Sequence, residues 1–239
     1  MWIDDQVLTA CDQAIAIKCW IPEKPIVVLG RANRIEKEVQ VRACIKAGIP
    51  MVKRLGGGGT VVLHEGCVIV SLGLWVKDFY ANDRYFSGLN SSVIDCLQHT
   101  LPSVNFAQRG HSDIVSGDRK CAGTSLFRSR NYLLYQASLL VDMRLNLIEF
   151  CLNHPTLEPD YRLGRQHKDF LVDLKSLGGG DSDLWCEALN KGLQPALLKY
   201  LKADLIEPQV AQIPHIKSRI GEQWLRQEEI DTAGNPGSE

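Results

Sequence analysis

The sequence predicts an α+β fold, with a mixed, largely antiparallel β-sheet flanked by helices. Three observations carry this reading. Helical and strand patterns alternate early in the chain. Beyond residue 111, strand-like segments follow one another as hairpins. The 239 residues are 45% hydrophobic, enough to bury a sizeable core.

The elements follow from spacing and breakers. Residues 4–19 are predicted helical, because Val7, Ala10, Ala14 and Ile17 fall at helical spacing with Asp4 or Asp5 as N-cap. Pro22 and Pro25 break the pattern, and residues 26–29 form a short apolar strand ending at Gly30. A helix is predicted over residues 36–47, stopped by Gly48. Strands are predicted over residues 49–54, 60–63 and 68–72. Residues 85–101 read as a helix that packs through Leu89, Val93 and Leu97. Strands follow at 112–115, 119–122, 125–128 and 132–141, with a turn at Ser116-Gly117-Asp118. A short helix at 145–152, an irregular charged stretch at 155–170 and a last helix at 187–202 complete the pattern. No repeat or linker divides the chain. Residues 1–230 therefore read as one domain, with a polar Gly/Pro tail at 231–239 expected to be disordered.

Composition bounds the function. A formal net charge of −1 gives no electrostatic footprint for nucleic acid or a membrane surface. No apolar run is long enough to span a bilayer, and the first five residues are acidic rather than signal-like. The eight cysteines are scattered singly, without the paired spacing of a zinc site. They read as buried free thiols in a reducing compartment, so a cytoplasmic location is expected and no metal ligands are assigned.

Two segments carry chemistry. Gly56–Gly59 places four glycines between two strands, where a tight turn needs one or two. Such a loop brings its backbone close to something, or aims several N–H groups at one ligand. It is not a phosphate loop of the G-K-[ST] type, and a strand rather than a helix follows it. Arg54 adds a planar cationic fork suited to phosphate or carboxylate. The second segment is residues 117–125, with Lys120 just past a hairpin turn. From this segment alone, an exposed strand lysine and a lysine touching a carbonyl and a phosphate are equal readings. The basic stretch 161–168 either covers an anionic ligand or partner or forms a solvated loop. His64, His111 and His154 stand alone in the sequence.

These residues resemble the lipoate–protein ligase family, which shares its fold with biotin ligases and octanoyl transferases. Three segments carry the resemblance, in the family's order: Gly30-Arg31; Lys53 to Val61 around the glycines; and Ser112-Asp113 followed by Gly117 to Gly123 around Lys120. It covers roughly residues 4–142. The resemblance implies formation of lipoyl-AMP from lipoate (or octanoate) and ATP with Mg²⁺. The acyl group then passes to a lysine of a lipoyl carrier domain, of the 2-oxoacid dehydrogenase E2 or glycine-cleavage H type. It implies Lys120 as the catalytic residue. Arg54, Gly57, Gly58, Gly59, Thr60, His64, Gly123 and Thr124 would lie about the acyl group, and Arg54, Asp113 and Lys120 about the nucleotide. Electrostatics agrees, since charge developing on a phosphate and a carbonyl oxygen needs a preorganised cation.

Departures from the family pattern matter. Lys53 stands where the family has a first arginine, and Gly56 where it has serine. Residues 63–67 replace an H-D-x-G-N pattern, so that His64 falls nearer the octanoyl-transferase pattern. Gln136 stands where many relatives have histidine. The sequence also stops short of ligases that carry a C-terminal accessory domain, which implies a separate accessory chain. The alternative is an ATP-independent transferase working through a cysteine thioester. Cys121 adjoins Lys120, but neighbouring strand residues point to opposite faces. Cys151 lies near where the transferase cysteine falls, yet in a predicted helix and without N-P-C-G surroundings. A third reading, a non-catalytic acyl-binding protein, is opposed by the intact Arg54, glycine loop and Lys120.

Overall fold

The structure is a computed structural model that describes residues 4–221, 225 and 227–234. In chain order it runs α1 (Asp5–Thr9), β1 (Ile15–Trp20), β2 (Ile26–Leu29), α2 (Ile35–Glu38), α3 (Val41–Lys46), β3 (Met51–Lys53), β4 (Val61–Leu63) and β5 (Cys67–Trp75). Then follow α4 (Asn82–Thr100), β6 (Phe106–Arg109), β7 (Asp113–Ser116), β8 (Arg119–Ser129), β9 (Tyr132–Leu140), α5 (Leu145–Cys151), α6 (His167–Phe170), α7 (Ser182–Leu201), α8 (Ile213–Lys217) and α9 (Gln227–Gly234). The α+β class expected from the sequence is what the chain adopts.

Two sheets form the frame. The larger has six strands in the order β1-β5-β9-β8-β7-β6, paired antiparallel throughout. The smaller has the order β3-β2-β4, with β2 parallel to β3 and antiparallel to β4. Strand alternation assigns the two faces of the large sheet. Val68, Val70, Leu72 and Leu74 of β5, with Leu133, Tyr135, Ala137 and Leu139 of β9, pack into the main core. Leu89, Val93 and Leu97 of α4 and Leu189, Leu193 and Leu197 of α7 cover that face. The intervening residues point the other way, where Val28 and Leu63 of the small sheet pack on Ile69 and cover one end. Val7, Leu8, Leu55, Phe127 and Leu134 fill the other end. Because β5 is covered on both faces, all nine of its residues are buried.

Several local expectations are corrected. Residues 4–19 are not one helix: α1 ends at Thr9, and Ile15–Trp20 pairs along its full length with β5. The β-branched Ile15 and Ile17 fit a pleated edge strand, and the helical spacing of Ile17 with Val7, Ala10 and Ala14 is coincidental. Asp4 makes no capping bond; its carboxylate lies inside the protein and accepts from Ser71 and Gln136. The helix expected at 36–47 is broken at Val39, whose extended backbone bridges to Leu152. The strands expected at 119–122 and 125–128 are one strand, β8, and β6 had no counterpart in the sequence reading. The last long helix starts at Ser182, where the Asp181 carboxylate accepts from the Leu184 N–H at 3.0 Å. Within the tail expected at 231–239, residues 231–234 complete α9; 235–239 lie outside the described residues. Among the described residues no helix is long and apolar enough to cross a membrane.

Candidate functional site

A cleft of about 570 Å³ opens where the small sheet meets the cleft-side face of β8 and β9, and residues 153–171 form its far wall. Such a volume suits a small ligand. An inner pocket of about 80 Å³ shares its walls at Gly59, Thr60, Val61, Leu63, Ser112, Lys120, Gly123 and Ser138. Arg54, Thr124, Ser125 and Gln136 line the inner pocket further in.

The four loop glycines have different physical causes. A Cβ on Gly56 would lie 2.5 Å from the Ser125 hydroxyl, so this position is set by close packing on β8. Gly58 has φ +92°, and a Cβ there would lie 2.9 Å from the Arg54 guanidinium. Its carbonyl sits so close to Gly30 that a Cβ on Gly30 would be 1.9 Å from it. Gly57 and Gly59 are exposed, and a Cβ on either would meet nothing within 4 Å. Only Gly58 and Gly59 reach a cavity wall; Gly57 lines neither recess.

Arg54 holds this loop from beneath. Its Nε donates to the Gly57 carbonyl at 3.0 Å, and Nη2 donates to Gly57 and Gly59 at 2.6 and 2.8 Å. The guanidinium is buried, and that burial pulls its pKa down to about 10, partly opposed by the nearby Asp4 charge. The fork that the sequence offered to a phosphate is largely spent on backbone carbonyls.

Lys120 reaches the cleft because of an irregularity in β8. Opposite Ile114 and Val115 the pairing slips by one residue, from Ala122 to Lys120. Without that bulge, Lys120 would share the parity of Ala122, on the core side; with it, Lys120 joins Gly123 on the cleft side. The Lys120 Nζ lies 2.6 Å from Asp113 Oδ1. A Cβ on Gly123 would come within 3.0 Å of that ammonium, so glycine leaves room for it. The Tyr161 hydroxyl donates to the other Asp113 oxygen at 2.7 Å. Thr124 ties the neighbouring strand end, its Oγ1 donating to the Ser112 carbonyl at 3.0 Å. Cys121 takes the opposite direction, into the main core, where burial pushes its thiol up to about 12.

The structure brings Lys120, Asp113, Gly58, Gly59, Thr60 and Gly123 to the cleft, with Arg54 and Thr124 at its inner end. It does not bring His64 there. His64 is fully buried, and its Nδ1 accepts from the Gly66 N–H at 3.0 Å, pinning the turn between β4 and β5. Burial lowers its pKa. Cys151 is fully buried against Cys44, not on the cleft wall. Cys67 does line the cleft, but burial pushes its thiol up to about 12. Sequence reasoning missed Ser112, Ser125 and Ser138. A signal existed for the floor: Gln136 and Ser138 are the polar pair, two residues apart, in an otherwise apolar strand. It also left the 161–168 stretch undecided. There Arg162 is buried on the cleft wall, stacked 4.7 Å above the Phe170 ring centroid. His167 lies on the same wall.

Several solved structures share this fold. A bipartite lipoate protein ligase, described with its E2 lipoyl domain from Thermoplasma acidophilum, superposes with a TM-score of 0.69 at 18% identity. The match covers 81% of this chain and 76% of that one. A lipoate-protein ligase A crystallised with ATP gives 0.67 at 17% identity, covering 90% and 86%. The architecture is therefore that of lipoate ligase catalytic domains. Residues 1–183 match the model of the lipoyl protein ligase A/B catalytic domain, and the chain belongs to that family. Among curated relatives, it is 25% identical over 192 residues to the inactive lipoate–protein ligase 2 of Plasmodium falciparum, covering 66% of this chain and spanning half of that protein's length. It is 23% identical over 235 residues to the lipoate-protein ligase A subunit 1 of T. acidophilum, covering 90% of this chain and 89% of that one.

Two outcomes follow from the geometry. Gly30→Ala forces a Cβ against the Gly58 carbonyl and is expected to cost about 1–3 kcal/mol in urea unfolding. Gly59→Ala enters open space and is expected to stay within about 0.5 kcal/mol of wild type. Equal stabilities for the two variants would contradict this division of roles. The second outcome concerns pH. Burial, then Arg162, His154 and Lys120, push the His167 imidazole down to about 4 from an ordinary 6.5. The unfolded chain thus binds more protons between these values, and the His167 contribution to stability is lost as pH falls through that window. The wild-type stability minus that of His167→Gln should decline from pH 6.5 to 4 and be flat above it. A difference independent of pH would contradict the assignment.

Proposed function

We propose that the cleft is an acyl-activation and transfer site: lipoate is joined to ATP, and the lipoyl group is passed to a lysine of a lipoyl carrier domain. The observation that carries this reading is the convergence of the glycine loop and the Lys120–Asp113 pair on one cleft with an inner pocket behind them. An acyl chain runs inward between Val28, Val61 and Leu63 of the small sheet and Ile69 of the large one. Its carboxylate stays at the mouth beside Lys120.

In the first step a carboxylate oxygen attacks the α-phosphorus of ATP. The bond to the β-phosphate bridge breaks and pyrophosphate leaves. In the second, the neutral amine of the acceptor lysine attacks the acyl carbon, AMP departs with the carboxyl C–O bond electrons, and the amine loses a proton. Negative charge grows on the carbonyl and phosphate oxygens in both steps, at the position of the Lys120 ammonium. Asp113 orients that ammonium, and Tyr161 orients Asp113. Arg54 acts through the loop, by fixing the Gly57 and Gly59 carbonyls. Among the described residues no three metal-binding side chains gather. Magnesium would enter on the ATP phosphates, keeping water ligands and offsetting their negative charge.

The buried, raised-pKa states of Cys121 and Cys67 support adenylate chemistry over a cysteine thioester. That the protein works with a separate accessory chain is supported by the relative named as a ligase subunit and by the neighbour described as bipartite. The same neighbour, described with its E2 lipoyl domain, supports a carrier of that kind. A cytoplasmic setting, where such carriers and ATP occur together, completes the reading.

The test is single-turnover transfer from supplied lipoyl-AMP to a lipoyl domain. Lys120→Ala should lose on the order of 100- to 1,000-fold in rate, the usual cost of removing one preorganised charge-stabilising group. Lys120→Arg should also be poor, because a guanidinium differs in shape and hydration from an ammonium. Cys121→Ser should retain most of the rate. A full-rate Lys120→Ala, or a dead but folded Cys121→Ser, would overturn the mechanism.

A further inference from the structure

We propose that Gln136 and Ser125, at the inner end of the pocket, select an acyl chain carrying sulfur at its far end over an all-carbon chain of the same shape. This rests on reading the cleft as an acyl site.

The register of the large sheet supplies the argument. On its cleft side, directly paired residues form rows: Gly123 with Ser138 and Ile69, then Ser125 with Gln136 and Ser71, then Phe127 with Leu134 and Gly73. The first row lies beside Lys120 at the mouth. The third belongs to the apolar cluster of Leu55, Phe127 and Leu134, which fills the space beyond. The pocket therefore ends on the middle row, roofed by Gly56 packed against Ser125. That row is polar, where an alkyl terminus would be served by an apolar one.

The row is also fixed in direction. The Ser125 hydroxyl donates to Gln136 Oε1 at 3.2 Å, and Gln136 Nε2 donates to Asp4. The other Asp4 oxygen accepts from Ser71 at 2.9 Å. A carboxylate accepts and does not donate, so the amide nitrogen points toward Asp4. An amide nitrogen carries two hydrogens. Among the described residues nothing takes the second, and Gln136 lines the pocket. A chain end with polarisable, weakly accepting sulfur meets this N–H; a methyl or methylene leaves it facing carbon. Lipoate is octanoate bearing sulfur at C6 and C8, closed into a ring, so the floor distinguishes the two acids at their far ends.

The experiment measures binding of three free acids by calorimetry: lipoate, octanoate and 5-cyclopentylpentanoate, which keeps the ring and replaces both sulfurs with carbon. Wild-type protein should bind lipoate roughly three- to tenfold more tightly than the cyclopentyl acid, the scale of one modest hydrogen bond. Gln136→Leu should close that gap. Because Gln136→Leu also strips Asp4 of a partner and can fail to fold, the wild-type ligand series decides by itself. Equal affinity of wild type for lipoate and the cyclopentyl acid would overturn the selective floor and leave the acyl reading standing. Failure of all three acids to bind would overturn both.

Discussion

The cleft depends on one buried cation. Arg54 is nearly enclosed by protein, and its guanidinium bonds two carbonyls of a loop that could not otherwise keep a defined shape. Four consecutive glycines lose more conformational freedom on folding than any other tetrapeptide. The cost is offset locally, by charge-assisted bonds in a site where water does not compete. The Asp4 carboxylate keeps the cation from being a lone buried charge. The same carboxylate binds Ser71 and Gln136, so the floor of the pocket and the lip of the cleft hang on one polar network.

A second constraint sets the chemistry. Strand alternation by itself would place Lys120 with Ala122, under the long helices. The slip in pairing opposite Ile114 and Val115 turns it into the cleft and leaves Cys121 in the core. One inserted residue thus decides which of two neighbouring side chains faces the cleft. The lysine is then held by Asp113, which is itself 4% exposed and held by Tyr161 from the far wall. A cation so positioned needs no rearrangement to meet charge developing in front of it, which is the condition for electrostatic catalysis.

The sequence made the fold class and the segments that line the candidate cleft legible, for identifiable reasons. Four glycines between strands have few structural explanations, and the structure requires glycine at two of them, through close packing at Gly56 and positive φ at Gly58, while Gly57 and Gly59 face open space. Long amphipathic helices such as α4 were readable because their apolar face repeats over many turns. Residues 15–20 were not, because Ala14 and Ile17 continue the helical spacing of Val7 and Ala10 while Ile15 and Ile17 alternate as a strand does, and only pairing with β5 chooses between them. The inward use of Arg54 was hidden for a similar reason. A guanidinium fork fits a carbonyl pair as well as a phosphate, and sequence does not say which is nearer. His64 stood beside a family motif, yet its neighbours in space, Gly66 and Arg144, make it a brace for a turn.

Donor choice tests the central claim most directly. The protein, a lipoyl domain and either lipoyl-AMP or an octanoyl-loaded carrier protein without nucleotide are combined, and the intact mass of the lipoyl domain is followed. A site organised around Lys120, with its cysteines buried, should transfer from the adenylate and leave the thioester untouched. Transfer from the octanoyl carrier without nucleotide, with none from the adenylate, would contradict the account.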